Sequence, residues 1–127
     1  MENNLYSLQI EQAVLSSLMG SHGNVDEFVD DLSENNFYAP KHKIIFSEIK
    51  ALHAQGKQFD VIMVWDQIRL DLQKSKMVTE QYIQEVIAIV CLPSQLEGHI
   101  VRLRELTVWR KIHEAGERIQ LVTRNIE

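Results

Sequence analysis

The sequence has a single cysteine, two prolines and five glycines, and each of these low counts excludes a class of protein. One cysteine cannot form an internal disulfide, so Cys91 is expected to be a buried thiol in a reducing compartment. Few glycines and prolines exclude collagen-like and low-complexity chains. No apolar run approaches the length of about 20 residues that crosses a membrane. The N-terminus also lacks the charge and apolar stretch of a signal peptide, which predicts a cytoplasmic protein.

The motifs of catalysis and cofactor binding are also missing. The one Gly-Lys pair, Gly56-Lys57, is followed by Gln58 and has Ala51 where a phosphate-binding loop needs its first glycine. The five histidines do not show metal-ligand spacing, and the acidic stretch at residues 26–31 lacks the order of a calcium loop. The sequence therefore predicts no enzyme activity, no metal site and no cofactor.

Charge is distributed unevenly along this acidic chain, whose formal net charge is −5. Residues 1–98 hold seven Lys and Arg against fourteen Asp and Glu, whereas residues 99–127 hold six against four. Binding to a phosphate backbone needs clustered cations. The acidic body therefore disfavours direct binding to nucleic acid.

Hydrophobic periodicity predicts an all-α fold, with a small globule of about five helices over residues 1–92. Ser7, Asp60 and Thr79 are expected to cap helices, and Gly20 and Gly56 to end them. The predicted helices are Ser7 to Gly20, Asn24 to about Leu32, Pro40 to Gly56, Asp60 to Leu72, and Thr79 to Val90.

Residues 93–127 are expected to form one long helix, with Pro93 just before its cap and with Ser94 and Glu97 at capping-box spacing. Leu96, Ile100 and Leu103 predict packing of its first half on the globule. Its second half carries an alternating +4/+3 apolar repeat, which is typical of a helix that pairs along a seam. The repeat consists of Val108, Ile112, Ala115, Ile119, Val122 and Ile126. Either another chain or a second hairpin arm beyond residue 127 is expected to cover it, and the chain is interpreted as a piece of a longer protein.

One run of residues resembles a known family. Residues 32–46, Leu-Ser-Glu-Asn-Asn-Phe-Tyr-Ala-Pro-Lys-His-Lys-Ile-Ile-Phe, followed by Leu52 and Gly56, resemble the N-terminal domain of bacterial replicative DNA helicases of the DnaB type. Residues 10–15 are similar to the opening Glu-x-x-Val-Leu helix of that family. Pro93-Ser94 resembles the entry to its helical hairpin, but the stretch that follows is about two residues shorter here.

The resemblance implies a non-catalytic domain that oligomerises within a hexameric helicase ring and recruits primase. The expected partners are other copies of the chain, primase and a helicase loader, without direct contact to nucleic acid or membrane. ATP and Mg²⁺ are expected only in a motor domain absent from this chain. The expected partner or oligomer interface consists of Leu96, His99, Arg102, Leu103, Val108, Trp109, Ile112, Ile119 and Val122. Of these, Arg102 stands where the family has an isoleucine.

Several alternatives stay open at this point. The helicase-binding C-terminal domain of a primase resembles the same arrangement of globule and hairpin, and another helical interaction module would share the apolar seam. A small enzyme could use Cys91 or a His/carboxylate pair. Direct DNA binding could use the cations of the last helix, Arg102, Arg104, Arg110, Lys111, Arg118 and Arg124.

Overall fold

The computed structural model describes residues 5–20, 26–56 and 58–126, and all regular secondary structure in these ranges is helical. This confirms the all-α prediction. A 3₁₀ turn, Glu34–Asn36, connects α2 to α3. The helices are α1 (Leu8–Gly20), α2 (Asp26–Asp30), α3 (Pro40–Ala54), α4 (Val61–Arg69), α5 (Leu72–Met77), α6 (Glu80–Ile87) and α7 (Pro93–Ile126).

Short polar side chains lie at three predicted helix starts, because each supplies an acceptor for an unpaired N–H of the first turn. Ser7 Oγ accepts from the Ile10 N–H at 3.3 Å, and Asp60 Oδ1 accepts from the Met63 N–H at 3.0 Å. Thr79 Oγ1 accepts from the Tyr82 N–H at 3.1 Å. These three predicted caps are confirmed, whereas the predicted cap Asn24 lies outside the described residues.

The region after Asp60 contains one helix more than predicted. A single helix to Leu72 was expected, but α4 ends at Arg69 and α5 begins at Leu72. The cause is Asp71, whose Oδ1 accepts from the N–H groups of Gln73 and Lys74 at 3.0 and 3.1 Å and so starts a new helix.

The start of α7 also differs from the prediction. Pro93 is itself the first helical residue, and the side chain of Gln95, not Glu97, reaches back, accepting from the Leu92 N–H at 3.3 Å. Proline is suited to the first helical position because its missing N–H would be unpaired there.

The core lies where α1, α3, α4, α6 and the first half of α7 meet. Phe37 and Phe46 stack within it at 5.0 Å between ring centroids, and the predicted stripes of α1, α3 and α4 supply most of the rest. α7 adds Leu96, Ile100 and Leu103 to the same core. Beyond Thr107, the remaining residues of α7 are exposed apart from Arg110 and Gly116, as far as their side chains are described.

Candidate interaction surface

The second half of α7 exposes a continuous apolar stripe, which we call the α7 seam and define as Val108, Ile112, Ala115, Ile119 and Val122. The exposed fractions of its four large side chains are 54, 56, 66 and 58% in that order. Burying an Ile or Val side chain contributes about 1.5–3 kcal/mol. Burial of this stripe against a partner would therefore stabilise the resulting complex.

The nine residues predicted for the interface lie in two different environments. Leu96 and Leu103 are buried in the core, with 3% and 1% of their surface exposed, so a partner cannot reach them in this chain. His99 is half-buried. Arg102 is exposed beside Glu105, at 3.8 Å between the charged groups. The other five are exposed on the second half of α7: Val108, Trp109, Ile112, Ile119 and Val122.

Polar contacts fix α7 at the point where it leaves the globule. Asn36 Nδ2 donates to Thr107 Oγ1 at 3.1 Å, and the Thr107 hydroxyl donates to the Leu103 carbonyl at 2.7 Å. The Arg110 guanidinium donates to the carbonyls of Leu5, at 2.7 Å, and Asn35, at 3.2 Å. Because these bonds hold the helix at its last contact with the globule, the direction of the α7 seam is set by the fold.

A buried polar network explains two residues of the family-like motifs. Glu11 is fully buried, and its carboxylate accepts from the backbone N–H groups of Tyr38, at 2.8 Å, and Ala39, at 3.3 Å. The same carboxylate lies 2.7 Å from Nδ1 of His42. Glu11 thereby joins α1 to the start of α3, and the network replaces the water that these groups lose on burial.

The network continues to α6 through Tyr82. His42 Nε2 lies 2.5 Å from the Tyr82 hydroxyl, which also accepts from Gln12 Nε2 at 3.1 Å. A proton on Nδ1 of His42 satisfies Glu11 and leaves Nε2 to accept from Tyr82. Burial raises the pKa of Tyr82, against the opposing effect of the Gln12 hydrogen bond. A phenol that holds its proton more tightly is a poor nucleophile, so the raised pKa does not favour catalysis by Tyr82. The hydrogen bonds of the network instead join α1, α3 and α6.

Cys91 is half-buried, not buried as predicted. Burial raises the pKa of its thiol, although the Ser17 hydroxyl acts in the opposite direction. Reactive cysteines depend on a lowered pKa, because the thiolate is the nucleophile. The environment of Cys91 therefore does not favour a catalytic role.

Two further properties of the described residues bear on function. They contain no group of three or more His, Cys, Asp or Glu side chains arranged to hold a metal ion. None of their helices has the combined length and apolar character that crossing a membrane requires.

A family model described as the DnaB-like helicase N terminal domain matches residues 3–105. The chain is 27% identical over 114 residues to the replicative DNA helicase DnaB of Leifsonia xyli subsp. xyli. The aligned residues cover 90% of this chain and 25% of that protein. It is 34% identical over 64 residues to the DnaB of Pasteurella multocida, covering 50% of this chain and 14% of that one. The chain thus spans about a quarter of the first of these helicases.

The fold is similar to a crystal structure of the N-terminal domain of DnaB helicase from Mycobacterium tuberculosis, with a TM-score of 0.84 and 21% sequence identity. The likeness covers 94% of this chain and 86% of that one. The family model ends at residue 105, so the α7 seam lies beyond the residues that it matches.

Proposed function

We propose, from the premise that this chain belongs to the DnaB-like helicase N-terminal domain family, that it is the oligomerisation and primase-recruiting domain of a hexameric replicative DNA helicase. In this role it pairs with neighbouring subunits in a ring, binds primase and responds to a helicase loader in the bacterial cytoplasm. ATP hydrolysis and strand separation belong to a separate motor domain, which holds ATP and Mg²⁺.

The observation that carries this proposal is the exposed α7 seam on a helix fixed to the globule. α7 has 34 residues and is about 50 Å long, and its apolar residues continue past its last contact with the core. The alternating repeat is typical of a helix that packs side by side with another helix. Family membership favours this function over the primase-side alternative, which predicts binding to a helicase ring.

Light scattering and a binding assay test the two halves of the proposal. The oligomeric state of the chain is measured by size-exclusion chromatography with light scattering, and capture of primase is measured with the helicase-binding domain of the cognate primase. We expect Ile112→Asp with Ile119→Asp to abolish both self-association and primase capture, because two carboxylates in the α7 seam oppose its burial.

Ile62 provides a matched control, because it is an isoleucine of α4 with 72% of its surface exposed. Ile62→Asp is expected to leave oligomeric state and primase capture as in the unmodified chain. The proposal is contradicted if the folded chain neither associates nor captures primase. It is also contradicted if the α7 double variant behaves like the Ile62 variant in both assays.

A further inference from the structure

A cavity of about 370 Å³ opens where α7 leaves the globule. The 3₁₀ turn, the start of α3 and the part of α7 that follows Leu103 form its walls. Cavities that bind small molecules have volumes of about 300–1,000 Å³ and often lie between helices. The cavity is therefore large enough for a small organic ligand. Its polar lining includes Asn35, Tyr38, Lys43, Arg110, Lys111 and Glu114.

The cavity lies on a different face of α7 from the α7 seam. Because an α-helix has 3.6 residues per turn, Thr107 and Arg110 lie on the side of α7 that carries Leu103 into the core. The α7 seam is centred about a third of a turn away from that side. A second copy of the chain or a second hairpin arm that packs on the α7 seam therefore covers a different face. Occupation of the cavity is compatible with the proposed pairing role of α7.

Three cations line the cavity, and within the described part of the chain none of them pairs with a carboxylate. Lys43 is half-buried and Lys111 is exposed, and neither forms a hydrogen bond or ion pair with the described residues. Arg110 is half-buried between them along the lining. Positive groups that are partly removed from water are stabilised when an anion binds beside them. The cavity therefore favours an anionic ligand.

Arg110 is held in place and still has donors to offer. Its guanidinium donates to the carbonyls of Leu5 and Asn35 and, at 3.3 Å, to the Thr107 hydroxyl. These oxygens position the group but do not neutralise its charge. A guanidinium carries more N–H donors than these three bonds use. The remaining donors are available to the oxygens of a ligand.

The charge of the lining matches a phosphate monoester better than a carboxylate. The three cations and the carboxylate of Glu114 together give the described lining a net charge of +2. A phosphate monoester carries a charge of about −1.5 to −2 at pH 7 and presents three acceptor oxygens. A carboxylate carries a single negative charge on two oxygens, so it would leave part of the positive charge unbalanced. Arginine and lysine are also the side chains that proteins use to bind phosphate.

We propose that this cavity binds the phosphate group of a small sugar phosphate, with Arg110, Lys43 and Lys111 as the groups that hold the phosphate. Asn35 and Tyr38 bring an amide and a phenol to the lining, and both groups form hydrogen bonds with hydroxyls such as those of a sugar. The site is separate from the α7 seam, so the inference goes beyond the proposed pairing role.

A nucleotide fits the cavity less well than a sugar phosphate. Bases bind proteins by stacking on open aromatic faces. Tyr38 is the lining residue with an exposed ring, and Tyr6 already covers one face of that ring at 4.0 Å between centroids. Arg110 lies 5.9 Å from the centroid of the same ring. Little flat surface therefore remains for a base.

Titration of the ¹⁵N-labelled chain followed by NMR tests the inference, with ribose 5-phosphate as the probe. We expect saturable binding with a Kd of about 0.1–1 mM, and shifts concentrated at the backbone amides of Asn35, Tyr38, Arg110 and Lys111. Ribose, which lacks the phosphate, and succinate, a dianion without phosphate, should each bind at least tenfold more weakly. AMP should bind no more tightly than ribose 5-phosphate.

Two double variants locate the binding to the cavity. Lys43→Gln with Lys111→Gln is expected to weaken binding of ribose 5-phosphate about fivefold or more, because two charged donors are lost. Lys76→Gln with Arg124→Gln removes the same charge at exposed positions outside the lining. This control should keep the affinity of the unmodified chain. Melting temperatures confirm that both variants are folded.

Four results overturn the inference. Absence of saturable binding of ribose 5-phosphate removes the site. Equal weakening by the two double variants assigns the binding to the overall charge of the chain. Succinate that binds as tightly as ribose 5-phosphate assigns the cavity to carboxylates, and AMP that binds tenfold more tightly assigns it to nucleotides. None of these results bears on self-association or primase capture, so the proposed function is tested separately.

Discussion

Glu11 is a fully buried carboxylate that serves two backbone N–H groups and a histidine at once. Removing one member of a buried charged group leaves its partners without a bond and destabilises a protein by about 3–5 kcal/mol. We expect Glu11→Ala to lower the free energy of unfolding by about that much in urea denaturation. Glu97→Ala, at an exposed position of α7, serves as the control and should change it little. Equal denaturation midpoints for the two variants would contradict this role of Glu11.

Tyr82 contributes a hydroxyl at the other end of the same network. Tyr82→Phe is expected to lower the free energy of unfolding at neutral pH by about 1 kcal/mol, the usual net contribution of a hydrogen bond. Tyr38→Phe, whose ring is 48% exposed, is the control and should be close to neutral.

The raised pKa of Tyr82 also predicts the behaviour of this contribution at alkaline pH. The pKa lies above its ordinary value of 10.0 in the folded chain, so the folded state holds the phenolic proton more tightly than the unfolded state. The contribution is complete below about pH 10 and is lost as pH rises through the folded pKa. The stability difference between the unmodified chain and Tyr82→Phe should therefore stay constant up to about pH 10 and narrow as pH rises further. A difference that stays constant as pH rises above that point would contradict the assignment.

The sequence indicates this network only in part. Glu11 stands on the buried face of α1 together with Leu15 and Leu18, and a charge on an apolar stripe is a signal of a buried polar contact. His42 belongs to the motif that resembles the helicase family. Tyr82, however, joins His42 across 40 residues of sequence, and no spacing rule connects positions so far apart.

At the scale of single helices, α5 is the least anchored, because none of its residues is buried. Its link to α3 is the ion pair between Lys74 and Glu48, whose hydrogen bond raises the pKa of Lys74. We expect Lys74→Met to speed amide hydrogen exchange within α5 while changing the global free energy of unfolding little. Lys76→Met, exposed on the same helix, should leave exchange unchanged. Unaltered exchange in Lys74→Met would show that the ion pair does not hold α5.

Alanine substitutions at two glycines of α7 report separately on the stability of the globule and on that of the second half of the helix. A Cβ at Gly98 or Gly116 would meet nothing within 4 Å, and alanine is favoured over glycine by about 1 kcal/mol inside a helix. Gly98→Ala lies in the half that packs on the core and should raise the melting temperature by a few degrees. Gly116→Ala should instead raise helical content by circular dichroism with little change in melting temperature. Similar melting shifts for both variants would contradict this division of α7.

Helix ends illustrate why some elements are predicted well and others are not. Asp60 and Thr79 act through residues three positions away, so their patterns are visible in a short stretch of sequence. The break between α4 and α5 was missed because Leu72 continues the apolar spacing of α4 while Asp71 caps a new helix. The apolar periodicity predicts one continuous helix there, whereas the Asp71 carboxylate caps a new one. The cap determines where α5 begins.

For the molecule as a whole, the decisive feature is that α7 takes part in two environments. Leu103 lies in the core, whereas Ile112 is 56% exposed on the α7 seam. Periodicity distinguished these two faces in advance because they occupy different sides of one helix. The sequence did not reveal that Thr107 and Arg110 fix the point of departure, since their partners Asn36, Leu5 and Asn35 lie far away along the chain.

This division predicts opposite outcomes for two truncations to alanine on the same helix. Leu103→Ala removes a core side chain and should lower the free energy of unfolding by about 2–5 kcal/mol. Ile112→Ala removes solvent-exposed surface, so it should leave unfolding of the dilute chain nearly unchanged and weaken self-association in light scattering. Urea denaturation at low concentration and light scattering at high concentration measure the two effects separately. Loss of stability in the dilute Ile112 variant equal to that of the Leu103 variant would mean that the globule itself covers Ile112, and α7 would then have no face left for a partner.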